Sequence, residues 1–543
     1  MHYLPAVLLF TTALAAPPAE PERRDLSNPL PYAPKPAVCP STPLLRAAGG
    51  MGPSEAAWYA KRKPIADAAL QTWLKQFGTF ETTSYPTIGS AVAGGFLRAS
   101  LLGAGIHQQL DKTEGTGPMA GLLQAIAYET TLSGSAAYIA GLMQNNWPSI
   151  NSLSTGLWQP NYAYGMKPGA AGGITGSATA ITEIVADVGS RAAAGYSVGL
   201  IDVYGRIIGY SNLYPPRGGV NTLVSDTRSQ PKFVNAQVPF PIMTAIGTID
   251  NTTDCSQMTN ATQYEITPFE FGSWDSGVAS FMDMKYLGTR MVDGKPAAIA
   301  LCTTGFDNLG YAVGTTANVI AKNCENFLDP LDISPINTTF ESVLELGTFT
   351  LNRAFYAAYP NPFFGQASSP AVVDQPELAL VDGGNSGQVI PLWPLLHRKK
   401  VGVIFVWDNY YDEGGVGTTG GQIYNTYTQA KKAGLTKMPV IPPPAAFQKL
   451  GLNKRPGAFG CNDPNVDTFI YVPYVAYVPQ TQSTGNLTTT PLQTRNYILN
   501  GNKLATNNGN ADWPKCVACL IMKKKATKLP SFCTQCFSKY CYN

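Results

Sequence analysis

Two stretches of this chain share one form: a short apolar run, a turn of small residues, and a helix built largely from Ala, Gly and Leu. In residues 86–111 the turn is Ala93-Gly94-Gly95; in residues 122–146 it is Ser133-Gly134-Ser135. Residues 377–382 and 401–408 (VGVIFVWD) are also short apolar runs. A strand that is apolar at consecutive positions is covered on both faces, as parallel strands between helix layers are. Strands alternating with helices therefore predict an α/β core, with the runs at 377–382 and 401–408 as buried parallel strands.

The 543 residues are 44% apolar and 13% charged, enough for a large packed core. Residues 54–76 have helical spacing, with Pro64 either interrupting that helix or starting a second one. Pro/Gly/Asn-rich stretches at 212–240, 409–420 and 479–512 read as insertions or lid-like loops. No internal repeat or composition break marks a linker, so one large domain with long loop insertions is expected. The net charge is only +3, and no Lys/Arg block interleaves with aromatics, which argues against a nucleic-acid partner. The longest basic run, Lys523-Lys524-Lys525, reads as a solvated surface patch.

Several features point to export. Residues 1–15 have an apolar stretch closing on Ala13-Leu14-Ala15, a signal-peptide pattern too short to span a bilayer. An extended Pro-rich segment, 16–38, follows, with a dibasic processing site at Arg23-Arg24. Asn251, Asn260, Asn337 and Asn486 each begin an Asn-x-Ser/Thr sequon, and glycosylation is expected there. No later segment reaches transmembrane length, and no hydrophobic C-terminal tail suggests a lipid anchor. A soluble, secreted protein is expected. Ten cysteines suit an oxidising compartment. Five of them lie in the tail 513–543, spaced as two C-x-x-C pairs plus Cys541. Disulfides rather than a metal site are expected there. If all ten pair, at least one tail cysteine bridges to Cys39, Cys255, Cys302, Cys324 or Cys461.

The candidate chemistry gathers at the turns. A serine hydroxyl is a weak nucleophile, needing a tight turn to expose it and a base to take its proton. Ser133 sits on such a turn, and a helix N-cap is the bland alternative. Gly94 and Gly95 suit a turn that aims backbone N–H groups at an oxyanion, or simply a tight strand–helix connection. Arg98, one turn into the next helix, suits either a phosphate contact or a surface salt bridge. Asp382 ends the apolar run Leu378–Val381 before Gly383-Gly384, as a site carboxylate or a turn cap. The chain has three histidines, and His2 falls in the leader. His107 and His397 read as surface or helix-capping residues; a Ser-His-Asp triad using either stays open.

Further motifs occur in order: Tyr32-Ala33-Pro34 with Cys39-Pro40, Gly195-Tyr196-Ser197, Asp202-Val203-Tyr204-Gly205-Arg206, and Pro239-Phe240-Pro241-Ile242. Then come Pro268-Phe269-Glu270-Phe271-Gly272-Ser273-Trp274-Asp275, Tyr286-Leu287-Gly288-Thr289 and Gly305-Phe306-Asp307-Asn308. Asp382-Gly383-Gly384 through Gln388, Ile390-Pro391-Leu392, Pro394-Leu395-Leu396 and the cysteine tail complete the series. Together these resemble the fungal lysophospholipase (phospholipase B) family, whose catalytic domain is similar to that of animal cytosolic phospholipases. The resemblance implies a mixed central sheet flanked by helices, a patatin-like or cytosolic-phospholipase-like fold, over a catalytic domain spanning 39–543. It implies a Ser133–Asp382 dyad, an oxyanion turn at Gly94 and Gly95, a phosphate-facing Arg98, and (lyso)phospholipid substrates at micelle or membrane surfaces. No metal or cofactor is implied. An aspartate titrates near 3.9 and a histidine near 6.5, so activity at mildly acidic pH is expected of such a dyad. The chain departs from the family's pattern at Ala93 (for serine), Phe96 (for glycine) and Thr131 (for glycine). Phenylalanine at a positive φ carries strain that glycine avoids. These departures motivate the alternative, a non-catalytic or weakly active lipid-binding relative.

Overall fold

The computed structural model describes residues 31–248, 258–298, 301–318, 334–351, 356–410, 418–479 and 487–542. The leader, Arg24, Cys255, Cys324, Asn251, Asn486 and the side chain of Asn337 lie outside the described residues. Asn260 is exposed.

A sheet of twelve strands runs through the molecule. Its strands are β1 (Leu45–Ala47), β2 (Thr87–Val92), β3 (Ile126–Leu132), β4 (Phe240–Gly247), β5 (Gln263–Ile266) and β6 (Glu270–Ser273). The rest are β7 (Ser280–Asp283), β8 (Ala357–Pro360), β9 (Glu377–Asp382), β10 (Val401–Asp408), β11 (Gly457–Phe459) and β12 (Thr468–Pro473). The spatial order is β11-β12-β10-β2-β3-β4-β5-β6-β7-β1, with β9 joined to β4 and β8. Strands β12, β10, β2, β3 and β4 are parallel, and the remainder pair antiparallel, so the sheet is mixed. Every residue of β2 and β3 is buried, including Thr87, Ser90, Glu129, Thr130 and Thr131, as in a parallel strand covered on both faces.

The helices that bear on the site are α1 (Pro53–Leu74), α2 (Phe96–Leu110), α3 (Gly134–Gln144), α4 (Leu200–Asn212), α5 (Leu309–Thr316), α6 (Pro491–Ala505), α7 (Trp513–Met522) and α8 (Cys533–Tyr540). Helix α1 continues through Pro64 instead of breaking there. Its packing offsets the lost N–H bond, worth about 3 kcal/mol. Arg62, fully buried beside that proline, donates to the carbonyls of Gln124, Ile126 and Ala236, and Trp58, Ala66 and Leu70 bury the same helix face. Part of the 479–512 stretch is not loop. Thr490 and Gln493 form a capping box around Pro491 and start α6. Helix α6 packs on α2 so closely that a Cβ on Gly105 would lie 2.0 Å from the Ile498 carbonyl oxygen.

The run 377–382 is also corrected. It is a strand, but β9 runs antiparallel to both β4 and β8. An apolar run reports burial and carries no information about direction, and here direction decides where Asp382 ends up.

Four disulfides occur among the described residues. Cys39–Cys302 joins the N-terminal segment to the body, Cys516–Cys536 and Cys519–Cys533 join α7 to α8, and Cys461–Cys541 staples the tail to the body. A buried ionic cluster ties three elements together: the Arg398 guanidinium, just before β10, donates to Glu55 of α1 at 2.8 Å and to Glu265 of β5 at 2.9 Å. No helix of the described residues is long and apolar enough to cross a membrane.

Candidate active site

Strand β3 and helix α3 are joined by a single residue, Ser133, at φ 54° and ψ −128°. That conformation costs an L-residue about 1–3 kcal/mol, and it persists only where the surroundings enforce it. They do. The Ser135 hydroxyl accepts from the Leu132 N–H at 2.9 Å and lies 2.9 Å from the Val92 carbonyl, locking this turn to the end of β2. A Cβ on Gly134 would sit 1.9 Å from the Phe96 carbonyl oxygen, so only glycine fits between the two turns. Thr131, in place of a glycine, is a buried β3 residue whose hydroxyl donates to the Ile242 carbonyl at 3.3 Å.

Sheet register explains how Asp382 arrives beside Ser133. Strand β3 runs parallel to β4 and ends with Leu132 opposite Thr244. Strand β9 runs antiparallel to β4 and ends with Asp382 opposite Ala245, the next residue. The other side of β4 is taken at the same positions by β5. Strands β3 and β9 therefore lie end to end along one side of β4 and meet head-on. The Ser133 hydroxyl donates to Asp382 Oδ2 at 2.8 Å, and the Gly384 N–H donates to Asp382 Oδ1 at 2.7 Å. Both side chains are buried. One carboxylate oxygen is held by the backbone while the other faces the serine hydroxyl, the geometry a general base needs.

The neighbouring turn holds the other predicted residues, and it corrects two expectations. The Gly94 N–H does not face the site; it donates to the Val389 carbonyl at 2.9 Å. A Cβ on Gly94 would lie 2.9 Å from Ser133 Cβ, so glycine is needed there for close approach. Among the described residues neither the Gly95 nor the Gly134 N–H has a hydrogen-bond acceptor. Phe96 sits at φ 57°, in the left-handed region where glycine is favoured. Arg98 is not a surface residue. It is buried, donates to the Asn409 carbonyl at 3.1 Å and lies over the Tyr474 ring at 4.9 Å. Its Nη2 would be 3.5 Å from a Cβ on Gly95, which places the charge directly behind the turn.

Neither histidine bonds Ser133; both stand in the last turn of a helix, but His107 is not at the surface. His107 is buried and paired with Glu129 at 3.2 Å. Burial disfavours its charged form, but the Glu129 carboxylate more than offsets this and holds the imidazole above its usual value. His397 stacks on Trp274 with ring centroids 5.3 Å apart, and burial beside Arg398 pulls it down to about 4.

An apolar cleft opens beside Ser133, walled by Leu97, Ala137, Tyr204, Ile208, Val313 and Met166. It encloses about 30 Å³, room for roughly one water. The α4 wall was not assigned a role from sequence, although Tyr204 and Ile208 stand one turn apart. Burial and the nearby Asp382 charge push the Tyr204 hydroxyl well up, so it stays a neutral donor. No cluster of three or more His, Cys, Asp or Glu among the described residues is arranged to hold a metal ion.

The model of the lysophospholipase catalytic domain matches residues 88–543. The chain is 33% identical over 553 residues to lysophospholipase 1 of Saccharomyces cerevisiae, covering 92% of this chain and 82% of the relative. It is 32% identical over 585 residues to lysophospholipase 1 of Candida albicans, covering 100% and 92%. Among solved structures, human GIVD cytosolic phospholipase A2 superposes with a TM-score of 0.66 at 15% identity, covering 91% of this chain and 72% of that one, a likeness of fold.

Proposed function

Because the chain belongs to the lysophospholipase catalytic-domain family, and so to the carboxylic ester hydrolases acting on phospholipids, we propose that it is a secreted lysophospholipase/phospholipase B using Ser133 and Asp382 through an acyl-enzyme. The observation that carries this reading is the 2.8 Å hydrogen bond from the Ser133 hydroxyl to a carboxylate whose other oxygen is already held. In the first step Ser133 Oγ attacks the ester carbonyl while Asp382 Oδ2 takes its proton. The oxyanion is held by the Gly95 and Gly134 amides, neither of which has an acceptor among the described residues. Collapse of the tetrahedral adduct expels the glycerol oxygen, which takes the proton from Asp382. Water then gives its proton to Asp382 and adds to the acyl carbonyl; fatty acid leaves and Ser133 regains its proton.

The acyl chain lies along the Leu97–Ile208–Val313 wall, which parts to admit it. Arg98, behind Gly95, draws the phosphate toward the turn. Substrate is taken from micelles or membrane surfaces. Four disulfides and an exposed sequon at Asn260 support secretion with glycosylation. The competing reading, a lipid-binding relative without turnover, rests on Ala93, Phe96 and Thr131, yet Phe96 holds φ 57° and keeps the turn against Gly134, and Thr131 is a buried strand residue bonded to Ile242. Fatty-acid release from lysophosphatidylcholine separates the two. Release by the wild type, abolished in Ser133→Ala and Asp382→Ala, supports the enzyme; binding without release, equal in all three, contradicts it.

A further inference from the structure

A second cleft lies at the opposite end of the sheet. Its floor is the first residues of three parallel strands, Thr87 of β2, Val401 of β10 and Thr468 of β12, and its volume is about 570 Å³. Ser133 follows the last residue of β3, so a strand length of about 20 Å separates the two places. Six lysines converge on the cleft from separate parts of the chain: Lys63 of α1, Lys399 and Lys400 before β10, Lys437 before β12, and Lys524 and Lys525 after α7. Two residues of the basic run that reads alone as a solvated patch, Lys524 and Lys525, thus line a basic cavity. A single carboxylate, Asp467, lines it. This one cleft carries more positive charge than the net +3 of the whole chain.

Gathering like charges this densely works against the folded state unless a counter-charge is available. The protein supplies little. Lys63 pairs with Asp67, and Lys437 stands 3.9 Å from Asp467. Among the described residues Lys399, Lys400, Lys524 and Lys525 form no ion pair. The Lys524 ammonium donates to the Val466 carbonyl at 2.7 Å, which fixes it in the wall. Burial lifts Asp467 to about 7, so it only partly neutralises its neighbours at neutral pH; burial also pulls Lys524 down to about 8, against the opposing charges of Asp467 and Asp463, and leaves it mostly charged. Flexible ammonium groups without a guanidinium fork suit phosphate, which they bind as point charges. The volume falls within the range of ligand pockets. A membrane seated here would leave Ser133 on the far side of the sheet, which argues against a lipid headgroup.

We propose that this cleft binds a free polyvalent phosphate anion at a site separate from Ser133. The test is calorimetric titration of the full chain with tripolyphosphate at low and raised salt. Saturable binding is expected, weakening at least about tenfold when Lys400→Ala and Lys525→Ala are combined. Combining Lys431→Ala with Lys432→Ala, two exposed lysines elsewhere, should change affinity by less than about twofold. Tripolyphosphate should not compete with ester substrate. Absence of saturable binding, equal loss in the control pair, or competition with substrate overturns the proposal. So does binding of phosphatidic-acid vesicles that depends on Lys400 and Lys525 when tripolyphosphate does not bind.

Discussion

Phe96 offers a quantitative test of how the two turns are held. At φ 57° any L-residue carries about 1–2 kcal/mol of steric strain, and a β-branched one carries more. Leucine and isoleucine have equal volume and apolarity, so replacing Phe96 by each isolates the backbone term. Phe96→Ile should be less stable than Phe96→Leu by about 1 kcal/mol, and its hydrolysis should fall further, because the Phe96 carbonyl abuts Gly134, next to Ser133. Phe96→Gly relieves about 1–2 kcal/mol of strain. It forfeits about 1 kcal/mol of packing from a half-buried ring and about 0.5–1 kcal/mol through the unfolded chain, leaving stability nearly unchanged. Thermal melts and denaturant titrations read these differences, with fatty-acid release alongside. Equal stability of the Leu and Ile variants, or a loss above about 3 kcal/mol for Phe96→Gly, would refute the claim that the turn is strained at this residue.

Other outcomes follow from the same structure. Removing Arg398 as Arg398→Met strands Glu55 and Glu265 in the interior and should cost about 3–5 kcal/mol; adding Glu265→Gln should recover part of it in the same melts. The His107–Glu129 pair holds the folded imidazole above its unfolded value, so its stabilisation is full below a pH of about 6.5 and is lost as pH rises through the folded value. Melts from acid to alkaline pH should therefore show the advantage of wild type over His107→Gln shrinking as pH rises. Hydrolysis should persist at mildly acidic pH in both proteins, since neither histidine bonds Ser133; loss of hydrolysis in His107→Gln at unchanged stability would argue for a histidine base.

What the sequence made legible was local. The strand–turn–helix form around Ser133 and around Gly94-Gly95 follows from short, mainly apolar runs and small turn residues, and the odd cysteine count of the tail requires a bridge to the body, found at Cys461–Cys541. What stayed hidden depends on partners far along the chain. The direction of β9 comes from its pairing with β4, and only that direction puts Asp382 beside Ser133. The commitment of the Gly94 amide to Val389 and the burial of Arg98 against Asn409 involve residues roughly 300 positions away, which no local pattern encodes. His107 reads from sequence as a surface or helix-capping residue, and its burial stays hidden because its partner, Glu129, lies on β3 rather than on its own helix. Helix α6 was the exception: its signal, Thr490-Pro491 with Gln493, was present but sat within a stretch of loop-like composition.

The central claim is that Ser133 is the nucleophile and Asp382 its base. Labelling with an alkyl fluorophosphonate, followed by peptide mass mapping, tests it most directly. A single covalent adduct on Ser133 is expected, formed at a rate lowered at least about a hundredfold in Asp382→Asn and little changed in His107→Gln or His397→Gln. An adduct on another residue, or Asp382→Asn labelled as fast as wild type, would contradict it.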